Sequence, residues 1–234
     1  MFGYGYGYGF GSSYLLIIVG LIITMWASWY VNHNFKKYDQ YISHHGTSGA
    51  EAARFILDNA GLQNVQILKV SGNLTDNYNP GNKTLNLSDS TYDSTSVAAI
   101  GVAAHECGHA IQDQKNYIPM RVRAALVPAV NLGSNASFPI IIVGALLGMN
   151  HFLITIGIWL FALVVLFQVV TLPVEFNASG RAVKILSSGD LLDSDEVPMV
   201  KQVLLAAALT YVAAAISTAL QLLRLIIIFG DNRN

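Results

Sequence analysis

Residues 97–112 read VAAIGVAAHECGHAIQ, and the way this stretch is read decides the rest of the chain. Its run of Ala, Val and Ile predicts a largely buried helix, expected over about 94–114, which Asp93 or Ser94 can cap. On that helix His105 and His109 stand one turn apart on one face. Both imidazoles can therefore reach a single tetrahedral metal ion, with Glu106 beside them as a base. Burying two imidazoles and a carboxylate without partners is costly, and a metal ion would satisfy both rings and offset the nearby charge. Cys107 is the only cysteine, so an internal disulfide is excluded. Because His105 and His109 already hold the facing positions, Cys107 reads as a small buried filler.

Outside this helix the chain is mostly apolar. Of 234 residues, 53% are hydrophobic and 12% charged, against about a quarter charged in an average soluble domain, which marks a membrane protein. A net charge of -1 and no run of like charges leave no basic surface for nucleic acid. Residues 1–13 alternate glycine with aromatics, cannot build a core, and read as a leader. Residues 14–31 form a first transmembrane helix closed by Trp26, Trp29 and Tyr30, and neither a basic start nor a cleavage site marks it as a signal peptide.

Residues 32–127 are the polar part. Thr47 and Ser48 precede an amphipathic pattern that stops at Gly61, and Val65 to Val70 and Thr84 to Leu87 read as strands around a turn over 77–83. The order helix, strand, strand, metal helix is a small α+β unit. Residues 128–149, 152–173 and 203–229 are three further candidate transmembrane helices, with a polar segment over 174–202. The fold class expected is therefore a mainly α membrane protein, with about four transmembrane helices and a small zincin-like α+β unit.

Two imidazoles leave a zinc short of one protein ligand, and the candidate is Glu175, at the end of the third span. Glu175 can meet His105 and His109 only if an even number of crossings separates them, so 128–149 must span and 152–173 must return. The charges agree: no Lys or Arg precedes the first span, eight of the thirteen lie between the first two spans, and three (Arg181, Lys184, Lys201) lie between the last two. By the positive-inside rule both polar segments, and the metal with them, face the cytoplasm of a multi-pass cell-membrane protein.

HECGHAIQ at 105–112, LPVEFNASGRA at 172–182 and NLTDNYNPGNKTLNLS at 73–88 together resemble the YugP-like neutral zinc metallopeptidases of bacterial membranes. These are related in outline to the HtpX and CAAX-prenyl endopeptidase group, the gluzincins. The resemblance implies an integral membrane endopeptidase with one Zn2+ per chain on His105, His109 and Glu175 and with Glu106 catalytic. It also suggests strand 84–87 as an edge that binds an extended substrate. The family pattern reads LTDHYDP and EFDAS, whereas this chain has Asn77, Asn79 and Asn177 in place of His, Asp and Asp. Related gluzincins carry an Asp four residues after the ligand Glu, where this chain has Ser179. None of these is a metal ligand in this reading; they bear on how the ligands are held.

Peptide hydrolysis at such a site wants a further donor to the developing oxyanion. Tyr211 on the last span is the candidate, set against the plainer reading of a hydrogen-bonded packing tyrosine. Asp113, one turn beyond His109, can hold that ring's second nitrogen or simply be solvated. Asn177 and Ser179 join it as residues around the ligands. Arg224, in an apolar run, reads as snorkelling or pairing with a buried acid. The partners expected are a protein or peptide substrate, membrane-associated, and the lipid bilayer itself. The competing reading is a non-catalytic zinc-binding scaffold or chaperone-like protein, against which Glu106 argues, since a structural site has no need of a base. A metal transporter would need polar ligands along several spans, and these spans carry few.

Overall fold

The computed structural model describes residues 6–188 and 190–230, with side chains from residue 13 onward. The elements run α1 (Tyr6–Asp39), α2 (Gly49–Asn59), β1 (Gln66–Val70), β2 (Asn77–Asn79), β3 (Thr84–Ser88), α3 (Val97–Gln114), α4 (Ile118–Leu146), α5 (His151–Leu186) and α6 (Val197–Gly230). Among the described residues four helices are long and apolar enough to cross a membrane: Ser13–Asp39 of α1, and α4, α5 and α6. The 36 residues of α5 extend about 54 Å at 1.5 Å per residue, well beyond the roughly 30 Å of bilayer hydrocarbon.

Each of the four long apolar helices runs on past its expected stretch at one end or both, although α4 stops at Leu146, short of the expected 149. α1 takes in residues 6–13 of the expected leader, whose first five residues lie outside the described ones. α4 begins at Ile118 and carries Pro128 and Pro139 inside it, although prolines usually end helices in water. α5 continues through Pro173 to Leu186, so Glu175 sits in an unbroken helix rather than in a polar connecting segment.

The chain divides into two compact units. One is made by Ser28–Arg121 and Pro173–Leu209, and the other by the remaining described residues. The chain thus leaves the first unit after Arg121 and re-enters it at Pro173, by way of α4 and α5.

In the first unit, α2 starts at Ser48. The Ser48 side chain accepts from the Glu51 N–H while Glu51 reaches back to the Ser48 N–H, so two otherwise orphaned donors are satisfied. Its Ala52, Ala53, Ile56 and Leu57 are buried in the core with Leu85 and Leu87 of β3 and Ile100, Ala103 and Cys107 of α3. The sheet order is β1-β3-β2, with β1 parallel and β2 antiparallel to β3. β3 is therefore the central strand, and the expectation that it offers a free edge is corrected. The cause is β2, which forms inside the stretch read as a turn and takes up that edge. The cap of α3 also moves: Ser96 accepts from Ala99 N–H, Ser94 supports Ser96, and Asp93 instead pairs with Lys69.

The second unit is built from α4, α5, α6 and the first part of α1. Ile141, Phe161 and Leu225 form its buried cluster, and Ala213 and Ala215 of α6 are buried as small packing residues. The Arg224 guanidinium lies 5.1 Å over the Tyr14 ring, a cation–π contact beside the two readings of snorkelling or an acid partner.

Candidate metal centre

α3 presents His105 and His109 edge to face, with ring centroids 4.7 Å apart. The Glu175 carboxylate reaches both from α5: its Oε2 lies 3.3 Å from His105 Nε2 and 3.4 Å from His109 Nε2. Tetrahedral zinc with ligands at about 2.0–2.1 Å has ligand-to-ligand edges of about 3.3–3.4 Å, and Glu175 Oε2 stands at that spacing from each imidazole. Glu106 completes a group in which one ligand atom each from His105, Glu106 and His109 lies within 4.8 Å of the others. Glu175 is 2% exposed, and Glu106 and His109 are each 8% exposed. Two carboxylates so deeply buried need a cation, and the donor set of two imidazoles and a carboxylate suits zinc.

What brings α5 this close is the residue between the histidines. Gly108 has no Cβ, and one placed there would stand 2.6 Å from the carbonyl oxygen of Ala178. The backbones of α3 and α5 are therefore in contact at this point, three residues along from Glu175.

Each ring is also held at its far nitrogen. His109 Nδ1 lies 3.0 Å from Gln112 Oε1, while Gln112 Nε2 donates to Val174 O at 2.8 Å and to Asn177 Oδ1 at 3.0 Å. A backbone carbonyl can only accept, so the amide orientation of Gln112 follows. Its oxygen must then accept from His109 Nδ1–H, which leaves the Nε2 lone pair for a metal. Asn177 is fixed in turn by Arg181, whose Nε donates to the same Oδ1 at 2.8 Å. His105 Nδ1 lies 3.1 Å from Ser179 Oγ, a hydroxyl that can play either role. Burial disfavours a charged His109, but the Glu175 hydrogen bond and the Glu106 charge outweigh it and raise its pKa, the same field that would draw in a metal cation.

Of the residues singled out in the sequence, His105, Glu106, His109, Glu175, Asn177 and Ser179 meet in this unit. Asp113 does not reach His109. It accepts from Tyr78 Oη at 2.7 Å and from Lys83 Nζ, and the place expected for it belongs to Gln112. Burial, with Asp113 as acceptor, holds the Tyr78 phenol protonated well above its ordinary range. Gln112 was legible only as a polar residue in an apolar run, three positions after His109. Cys107 is fully buried, its thiol raised far above the usual value by burial, which makes it inert filler. Tyr211 belongs to the second unit.

Two imidazoles and a buried carboxylate brought together, with four helices among the described residues long and apolar enough to cross a membrane, give the chain the form of a membrane protein with a candidate metal centre. The chain belongs to the family described as "Putative neutral zinc metallopeptidase", whose model matches residues 13–230. It is 43% identical over 219 residues to "Putative membrane protease YugP" of Bacillus subtilis (strain 168), a match covering 94% of this chain and 97% of that protein. No solved structure matches it.

Proposed function

We propose that the protein is a membrane-embedded zinc endopeptidase of the gluzincin kind, with one zinc per chain on His105, His109 and Glu175. The observation that carries this is the Glu175 carboxylate oxygen 3.3–3.4 Å from the Nε2 atoms of both His105 and His109, with Glu106 beside them. When bound, zinc supplies Lewis acidity that lowers the pKa of a water in its open position to about 7. Glu106 takes one proton from the attacking water as its oxygen bonds to the peptide carbonyl carbon. Glu106 then delivers that proton to the amine nitrogen as the C–N bond breaks, giving a carboxylic acid and an amine, and the acid passes its remaining proton to solvent. Ser179 and Gln112 keep the two rings turned so that both Nε2 atoms point inward. The excess of Lys and Arg in 32–127 and 174–202 supports a cytoplasmic site acting on membrane-associated chains.

The test is zinc content and casein hydrolysis on detergent-purified protein beside Glu106→Gln and Glu175→Ala. Wild type is expected to hold about one zinc and cleave, Glu106→Gln to keep the metal and lose activity by at least a hundredfold, and Glu175→Ala to lose the metal. Zinc binding without any Glu106-dependent cleavage would replace the enzyme with the scaffold reading.

A further inference from the structure

A cavity of about 450 Å³ lies in the first unit among α2, α3 and α5, on the side of α3 away from the histidine rings. Its walls divide by chemistry. Ile56, Ile111 and Ile185 supply an apolar floor, while Lys115, Arg181 and Lys184 supply three cations. Of the seven other lysines and arginines of this unit three have an acid at hand: Arg54 has Asp58, Lys69 has Asp93 and Lys83 has Asp113. No carboxylate among the described residues pairs with Lys115, Arg181 or Lys184. Arg181 uses Nε on Asn177, and the rest of its fork remains for a ligand.

Like charges left together around an open cavity repel one another, and a helix C-terminus accounts for at most the two lysines, at the ends of α3 and α5. Arg181 lies further inside α5. Three unpaired cations over an apolar floor fit a phosphate that carries an apolar body. Chain connectivity favours a lipid as its source, because Lys115 stands three residues before α4 and α5 carries Arg181 and Lys184 eight and eleven residues, about 12 and 17 Å of helix, beyond its apolar stretch, 152–173. We propose that this cavity binds the phosphate head of an anionic phospholipid, held by Lys115, Arg181 and Lys184, with its glycerol and first acyl carbons on the isoleucines. The assignment is independent of peptidase activity.

The test uses the full chain, zinc-loaded, in mixed micelles of detergent and phosphatidylcholine titrated with phosphatidylglycerol, with binding read by native mass spectrometry. Lys115→Gln/Lys184→Gln removes two exposed charges and leaves the core untouched. At about fivefold per lysine, it is expected to weaken phosphatidylglycerol binding about 25-fold without changing the melting temperature in phosphatidylcholine alone. Lys36→Gln/Lys201→Gln, an equal change of charge on exposed lysines outside the cavity, is expected to stay within about twofold. Equal losses in the two double variants, or none in the first, would overturn the proposal. Binding of inorganic phosphate as tight as that of phosphatidylglycerol would overturn the lipid assignment in favour of a soluble anion.

Discussion

Replacing Gly108 by alanine should release the metal while leaving the protein folded. The new Cβ would stand 2.6 Å from Ala178 O and 3.1 Å from the Ala178 Cα and carbonyl carbon, about 0.8 Å inside the 3.4 Å at which ordinary contact begins. Both partners are helical backbone and Ala178 is fully buried, so no side chain can swing aside and α5 must move. Overpacking of this kind costs about 1–3 kcal/mol of stability. The larger consequence falls on Glu175, one turn earlier on the same helix, because a metal site tolerates about 0.2 Å in its ligand distances. A displacement several times larger is expected to weaken zinc binding at least tenfold. Competition titration against a chromogenic chelator measures this, with Gly101→Ala as control. There the added Cβ meets Val200 Cγ1 at 3.0 Å, a side-chain methyl that can give way. If Gly108→Ala binds zinc as tightly as Gly101→Ala, contact between α3 and α5 does not set the position of the third ligand, and the reasoning fails.

Three further outcomes follow from the same geometry. Gln112→Met should keep the volume but strand Val174 O and free the His109 ring, lowering zinc affinity about 10- to 100-fold in the same titration; an unchanged affinity would remove Gln112 from the site. Ser179→Asp places a carboxylate at His105 Nδ1, as in the related gluzincin pattern, and should tighten zinc by up to about tenfold, so weaker binding would count against residue 179 as the group that holds the His105 ring. His44 bonds Asp193 at 2.7 Å, and that bond, then the Glu196 charge, raises its pKa against a smaller opposing effect of burial. Asp193, lowered chiefly by its His44 hydrogen bond, stays ionised throughout the neutral range. The stabilisation from the charged pair is complete below about pH 6.5 and lost as pH rises through the folded value of His44. The melting temperature of wild type relative to His44→Gln should therefore fall from about pH 6 to 8, and a flat difference would show that the pair contributes nothing.

Features that depend on one element's own spacing were legible in the sequence. The i, i+4 histidines, the capped α2, strands β1 and β3 and the four apolar helices all follow from periodicity and composition. The meeting of Glu175 with the two histidines was legible for a different reason, since few acidic residues border the spans and a zinc with two imidazoles would require one more donor. Helix ends were harder to read. A polar residue beyond an apolar run marks where lipid ends, whereas a helix stops only when its backbone finds other partners, and α5 finds none before Leu186.

Choices between neighbouring residues were not legible, and Gln112 against Asp113 shows why. Both lie one turn beyond His109, and a carboxylate is the commoner partner for a metal-bound imidazole. The two positions are separated by about 100° around α3. Which of them faces α5 and which faces β2 depends on how α3 is rotated, and that rotation is set by Gly108 against Ala178 on one side and Leu85 and Leu87 on the other. Once α3 is so placed, Asp113 lies beside Tyr78 and Lys83, and the buried position falls to a residue that must serve an imidazole N–H, a backbone carbonyl and Asn177 together. An aspartate has no donor for the carbonyl, whereas an amide meets all three demands without adding a third carboxylate to a site that already buries two. The same reasoning accounts for asparagine at 177, where the family pattern has aspartate: its oxygen already receives two donors, and a neutral acceptor there leaves the charge of Arg181 uncompensated for the cavity behind α3.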